Sequence, residues 1–67
     1  MKYENDNTKL ALIVNLFLNH GELTDSQVSA KLIMDVNDVK RLLDKLILMG
    51  VVIRSNLYND VAFYKLR

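Results

Sequence analysis

Hydrophobic positions recur at helical spacing along most of the chain, and the period changes after Gly50. Leu10, Ile13, Val14 and Phe17 repeat every three to four positions and predict a first helix over residues 8–20. Leu12, Leu16 and Leu18 widen that stripe until only Thr8, Asn15 and Asn19 form a polar strip. A helix apolar nearly all round is expected to be buried nearly all round. Asn7 is placed to cap its start, and Gly21 to take a left-handed conformation just past its end. Thr24 followed by Gln27 fits a capping box for a second helix over 25–32, which buries Val28 and Leu32. Ile33 and Met34 form a turn, and Asp35 caps a third helix over 36–49 that Gly50 ends. On it Val36, Val39, Leu43, Leu46 and Ile47 share one face, with Leu42 and Met49 at its margin. The stretches VVIRS and VAFYKL then carry β-branched and aromatic residues around the turn-like NLYND, a hairpin over 51–66. Leu23 offers a place for a short third strand. With residues 1–6 as an N-terminal segment, the chain 1–67 reads as one mainly helical α+β domain.

Composition narrows what such a domain does. A 67-residue chain buries only about 60% of its unfolded surface, yet 51% of its residues are hydrophobic. That excess predicts a partner, and self-association first. There is no cysteine and a single histidine, His20, so no disulfide and no metal or other cofactor site is expected. A cysteine nucleophile, a glycine-rich phosphate loop and a carboxylate–histidine cluster are all missing, which argues against an enzyme. His20 beside Gly21 suits the carbonyl end of a helix better than catalysis. No apolar run approaches the roughly 20 residues of a membrane span, and MKYENDN makes a poor signal peptide. A soluble, cytoplasmic protein is the expectation.

Net charge is only +1, but it is unevenly distributed. Residues 1–39 hold three lysines against six carboxylates, a net −3, and residues 40–67 hold six cations against two carboxylates, a net +4. Such asymmetry can turn one face toward an anion. Six cations over that length also fit an ordinary solvated surface.

The order helix, helix, helix, hairpin resembles the winged helix-turn-helix superfamily from about Thr8 to Leu66. One stretch carrying the likeness is LTDSQVSAKLIMDVNDVKRLLDKL, with small Ala30 where the family crosses two helices tightly. The other is MGVVIRSNLYNDVAFYKL, a helix end, glycine, strand, loop and aromatic returning strand. Among subfamilies it looks like the small regulators of fimbrial phase variation and the winged helix of the archaeal transcription factor E alpha subunit. The resemblance implies a three-helix winged helix-turn-helix with a two-stranded β-hairpin wing at the C-terminus, and DNA binding by a small transcriptional regulator. Two departures stand out. Ile33 occupies a turn position where many members have glycine, although the turn can be made without a left-handed residue. The wing sequence NLYND has no cation, and Asp60 repels phosphate, which weakens the expectation of wing contact. Winged helices that bind Z-DNA show an asparagine and a tyrosine on the third helix and a Pro-Pro-x-Trp wing. Lys40 and Asp44 stand at the equivalent places and proline is absent, so that specialisation is not expected.

In this family the outer side of the third helix enters the major groove. On a helical wheel Asn37, Lys40, Arg41 and Asp44 occupy that side. Arg41 suits a bidentate contact to guanine and Asn37 one to adenine. Lys40 and Lys45 suit phosphates, and Asp44 can accept from cytosine or restrain Arg41. Arg54 and Lys65 on the hairpin reach toward backbone, which positions without specifying sequence. Tyr58 at the wing tip suits a sugar–phosphate edge or a protein partner. Against this stands a plainer possibility. Asp38 with Arg41 and Lys40 with Asp44 have the spacings of surface ion pairs, each contributing about 0.2–0.5 kcal/mol without any ligand.

Leu48 falls on the same side as Asn37 and Arg41, where a polar residue is expected. With Leu57 it marks an alternative function, a protein–protein interaction winged helix inside a larger assembly. For the DNA-binding reading, Tyr3, Leu12 and Leu16 are assigned to a homodimer interface that leaves both third helices free. Its two-fold axis would match half-sites about 34–36 Å apart.

Overall fold

A computed structural model of the chain describes residues 5–67. Its elements run α1 (Asp6–His20), β1 (Leu23–Thr24), α2 (Asp25–Leu32), α3 (Val36–Leu48), β2 (Val52–Tyr58) and β3 (Val61–Leu66). The three strands form one antiparallel sheet in the order β1-β3-β2. This is the three-helix, hairpin-winged architecture of a winged helix, and Leu23 does open a third strand, opposite Tyr64.

Local chemistry sets most of the boundaries. Helix α1 starts earlier than the apolar stripe, because Asn5 rather than Asn7 is its cap, accepting from the Thr8 N–H at 2.9 Å. That brings Asp6 into the first turn, where a carboxylate favours the exposed N–H ends. Thr24 and Gln27 form the reciprocal capping box, at 3.1 and 2.9 Å. Asp35 caps α3 by accepting from the Asn37 N–H at 2.7 Å. Gly50 at φ 78° closes α3 as only glycine does without strain. Between α2 and α3, Ile33 itself adopts φ 54°, ψ 53°, so the turn does use a left-handed residue and a β-branched one. That conformation costs roughly 1–2 kcal/mol. It is held because Ser29 clamps both polar groups of Met34: its carbonyl accepts from the Met34 N–H at 3.0 Å, and its hydroxyl donates to the Met34 carbonyl.

The core is Ile13 and Phe17 of α1, Leu23, Val28 of α2, Val39, Leu42, Leu43 and Leu46 of α3, then Val52 and Tyr64. Leu42 is central rather than marginal, whereas Val36 and Ile47 are half-buried and Met49 is exposed. Ala30 is also exposed; Val28 supplies the buried contact of α2. Leu18, at 68% exposure, shows that α1 is not enclosed all round. The hairpin reaches further than its sequence suggests. NLY continues β2, and the turn is only Asn59–Asp60, both at positive φ as a type I′ turn requires. A register shift at Ser55 bulges β2, and the Glu22 carboxylate accepts from both Ser55 and Asn56 there. No described helix is long and apolar enough to cross a membrane.

Candidate nucleic-acid interface

Four buried residues of α3 fix its inner face, and its outer flank follows from the helical period. Asn37, Lys40 and Asp44 are exposed there, and Leu48 ends the flank at 88% exposure. Lys40 and Asp44 form no ion pair among the described residues, so the spacing that allows one is not used. Among the described residues neither side chain has a hydrogen-bond or ion-pair partner, which leaves both to water or a ligand.

The edge of α3 facing α1 is different. Arg41 Nε and Nη2 donate to Asp38 Oδ1 at 3.1 and 2.6 Å, the one surface pair foreseen from spacing that does form. Arg41 Nη1 and Nη2 also donate to the two carboxylate oxygens of Asp6, at 2.9 and 3.1 Å. Lys45 Nζ joins Asp6 Oδ2 at 3.0 Å, and Lys9 Nζ joins Asp38 Oδ2 at 2.8 Å. Hydrogen bonds from Arg41, then Lys45, hold the Asp6 carboxyl far below the usual carboxylate range. Those from Lys9, then Arg41, lower Asp38. Asp6 and Asp38 in turn raise Arg41. Three cations meet two carboxylates, so the cluster stays positive by one charge. Arg41 and Lys45 remain about half exposed, at 49% and 47% of their side-chain surface. The guanidinium that suits guanine is thus engaged on its own chain. Sequence reasoning misses Asp6 because it reads residues 1–6 as a segment before the helix; the available signal is an Asn5-x-x-Thr8 cap, which places Asp6 in the first turn.

The hairpin distributes its candidates on both sides. Arg54 lies opposite Tyr64, its guanidinium 5.8 Å from the ring centroid, and Lys65 lies opposite Ile53. Adjacent register positions project to opposite faces, so Arg54 and Lys65 are not brought together. Tyr58 is exposed and meets Phe63 edge-on, with ring centroids 5.7 Å apart. Leu57 is exposed at 65%. Of the residues assigned to dimerisation, Leu16 is half-buried against the core, Leu12 is half-buried, and Tyr3 lies outside the described residues. The described residues contain no group of three or more His, Cys, Asp or Glu placed to hold a metal ion.

These features define a winged helix domain with a partly self-neutralised third helix. Among solved structures the chain is similar to a cysteine-to-serine mutant of MarR from E. coli, with a TM-score of 0.82 at 21% identity. The match covers 88% of this chain and 45% of that one, so the likeness establishes the fold, and this chain spans less than half the length of its structural relative. No family model matches the sequence, and no curated protein matches it.

Proposed function

We propose that this chain binds double-stranded DNA as a small transcriptional regulator, with α3 in the major groove. The observation that carries the reading is the exposed flank of Asn37, Lys40 and Asp44 on the third helix of a winged helix, which forms no ion pair among the described residues. The likeness to MarR, a winged-helix regulator, supports the same class of function. In this reading Asn37 and Asp44 face base edges, and Lys40 meets a phosphate. Arg41 and Lys45 work from the α1 edge, while Tyr58 and whichever of Arg54 and Lys65 lies on the wing face turned to the duplex supply backbone contacts. The protein acts without catalysis, in the cytoplasm, and as a homodimer whose second copy doubles a small phosphate footprint. Titration of a generic duplex at two salt concentrations tests it. Affinity should fall with salt by about 0.9 logarithmic units per phosphate contact per tenfold salt, and Lys40→Ala should lower that slope by about one contact. Salt-independent binding, or none at low salt, contradicts the reading.

A second reading rests on exposed apolar residues. Leu48 on α3 and Leu57 on the wing suit a protein partner within a larger assembly. It predicts that Leu48→Ala removes an interaction that Lys40→Ala leaves intact.

A further inference from the structure

Arg41 and Lys45 hold Asp6 in the way such side chains hold a phosphate. Two guanidinium nitrogens meet two carboxylate oxygens, and an ammonium group meets one of those oxygens as well. Paired Arg–carboxylate and Arg–phosphate bonds share this forked geometry. The fork is pre-set from behind, because Asp38 takes Nε and Nη2 of Arg41 and is itself held by Lys9. Asp6 is the member best placed to leave. It sits in the first turn of α1, next to the capping Asn5, and 36% of its side chain is exposed. Its departure would uncover two cations along one edge of α3, a helical turn apart and next to the Asn37–Asp44 flank.

We infer that Arg41 and Lys45 form a phosphate site on α3 that Asp6 fills as an internal stand-in, and that a DNA backbone phosphodiester displaces Asp6 on binding. The inference rests on the duplex-binding reading for its ligand, but the site itself can be tested without DNA. Asp6 then acts as a threshold. A weak or poorly seated duplex does not replace it, whereas one docked along α3 gains two further phosphate contacts.

The test uses the full chain, its Asp6→Asn variant, and Asp60→Asn as a control that removes the same charge at the wing tip. Inorganic phosphate is added first, while the Arg41 Nε–Hε signal is followed by NMR. A saturable shift is expected in Asp6→Asn at concentrations that leave wild type and Asp60→Asn unmoved. A generic duplex is titrated next at two salt concentrations. Asp6→Asn should bind about tenfold more tightly at low salt than wild type, with a similar salt slope, because both chains make the same phosphate contacts once Asp6 has left. Asp60→Asn should gain much less, and adding Lys45→Gln to Asp6→Asn should reverse part of the gain. Asp6→Ser, which keeps a good first-turn residue, repeats both arms should Asp6→Asn melt early. An Arg41 signal unmoved by phosphate in both Asp6 variants overturns the site. Duplex binding no tighter than that of Asp60→Asn overturns the displacement. A phosphate response without duplex binding by any variant leaves the anion site standing and removes the DNA-binding reading instead.

Discussion

Helices α1 and α3 are both rich in leucine and isoleucine, yet they relate to the fold in opposite ways. On α3 the buried residues Val39, Leu42, Leu43 and Leu46 line one side, and the charged residues line the other. Its rotation about its own axis is therefore set by its own pattern. On α1 only Ile13 and Phe17 are fully buried, and apolar side chains point both inward and outward, with Leu18 exposed. Its placement depends on what it meets: the core on one side, and Arg41, Lys45 and Asp38 of α3 through Asp6 and Lys9. A one-sided helix carries its own address, whereas a two-sided one is positioned by its neighbours.

The contrast breaks most visibly in the core. Leu42→Ala, at the buried centre of α3, should cost about 2–5 kcal/mol in denaturant unfolding. Leu18→Ala on α1 removes a leucine of the same size from the surface and should change stability by less than about 0.5 kcal/mol. A Leu18 cost comparable to that of Leu42 would mean that a second copy covers α1. The next effect lies in the turn between α2 and α3. Ile33→Gly relieves a left-handed β-branched residue that is 90% exposed, and should raise stability by up to about 1 kcal/mol. A loss there would show that the Ile33 side chain makes a contact outside this chain.

The smallest expected effect sharpens the α1–α3 tie. Folding lowers the Asp6 and Asp38 carboxyls below their ordinary value of 3.8. Between those values the unfolded chain binds more protons, so stability rises with pH there. The tie is fully in place above about pH 4 and is lost as acid takes the pH down through the folded-state values. Thermal melts should therefore fall on acidification from that point, and Asp6→Asn should flatten the fall. Because both carboxylates are solvent-accessible, added salt should weaken the same dependence.

Much of the architecture is legible in the sequence because it rests on local rules. The Thr24–Gln27 box, the Asp35 cap and Gly50 each act within a few residues, and the period of α3 states which side faces inward. The errors have a common cause in partners distant along the chain. Asn7 and Asn5 are both good caps, and tertiary pairing of Asp6 with Arg41 and Lys45 goes with the earlier start. The intrinsic preference of Ile33 disfavours a left-handed conformation, and the Ser29–Met34 clamp overrides that preference. Asp38 with Arg41 and Lys40 with Asp44 look alike as spacings. Only the first pair forms, and there Lys9 and Asp6 from α1 complete a network that Lys40 and Asp44, out on the flank, lack among the described residues.

DNA binding through α3 is tested most directly by a map of backbone amide shifts in the isotopically labelled chain as duplex DNA is added at low salt. The expected result is a set of salt-sensitive changes centred on Asn37, Lys40 and Asp44, extending to Asp6 and Arg41 along the α1 edge. Changes confined to Leu18, Leu48 and Leu57, or no change at all, would contradict it.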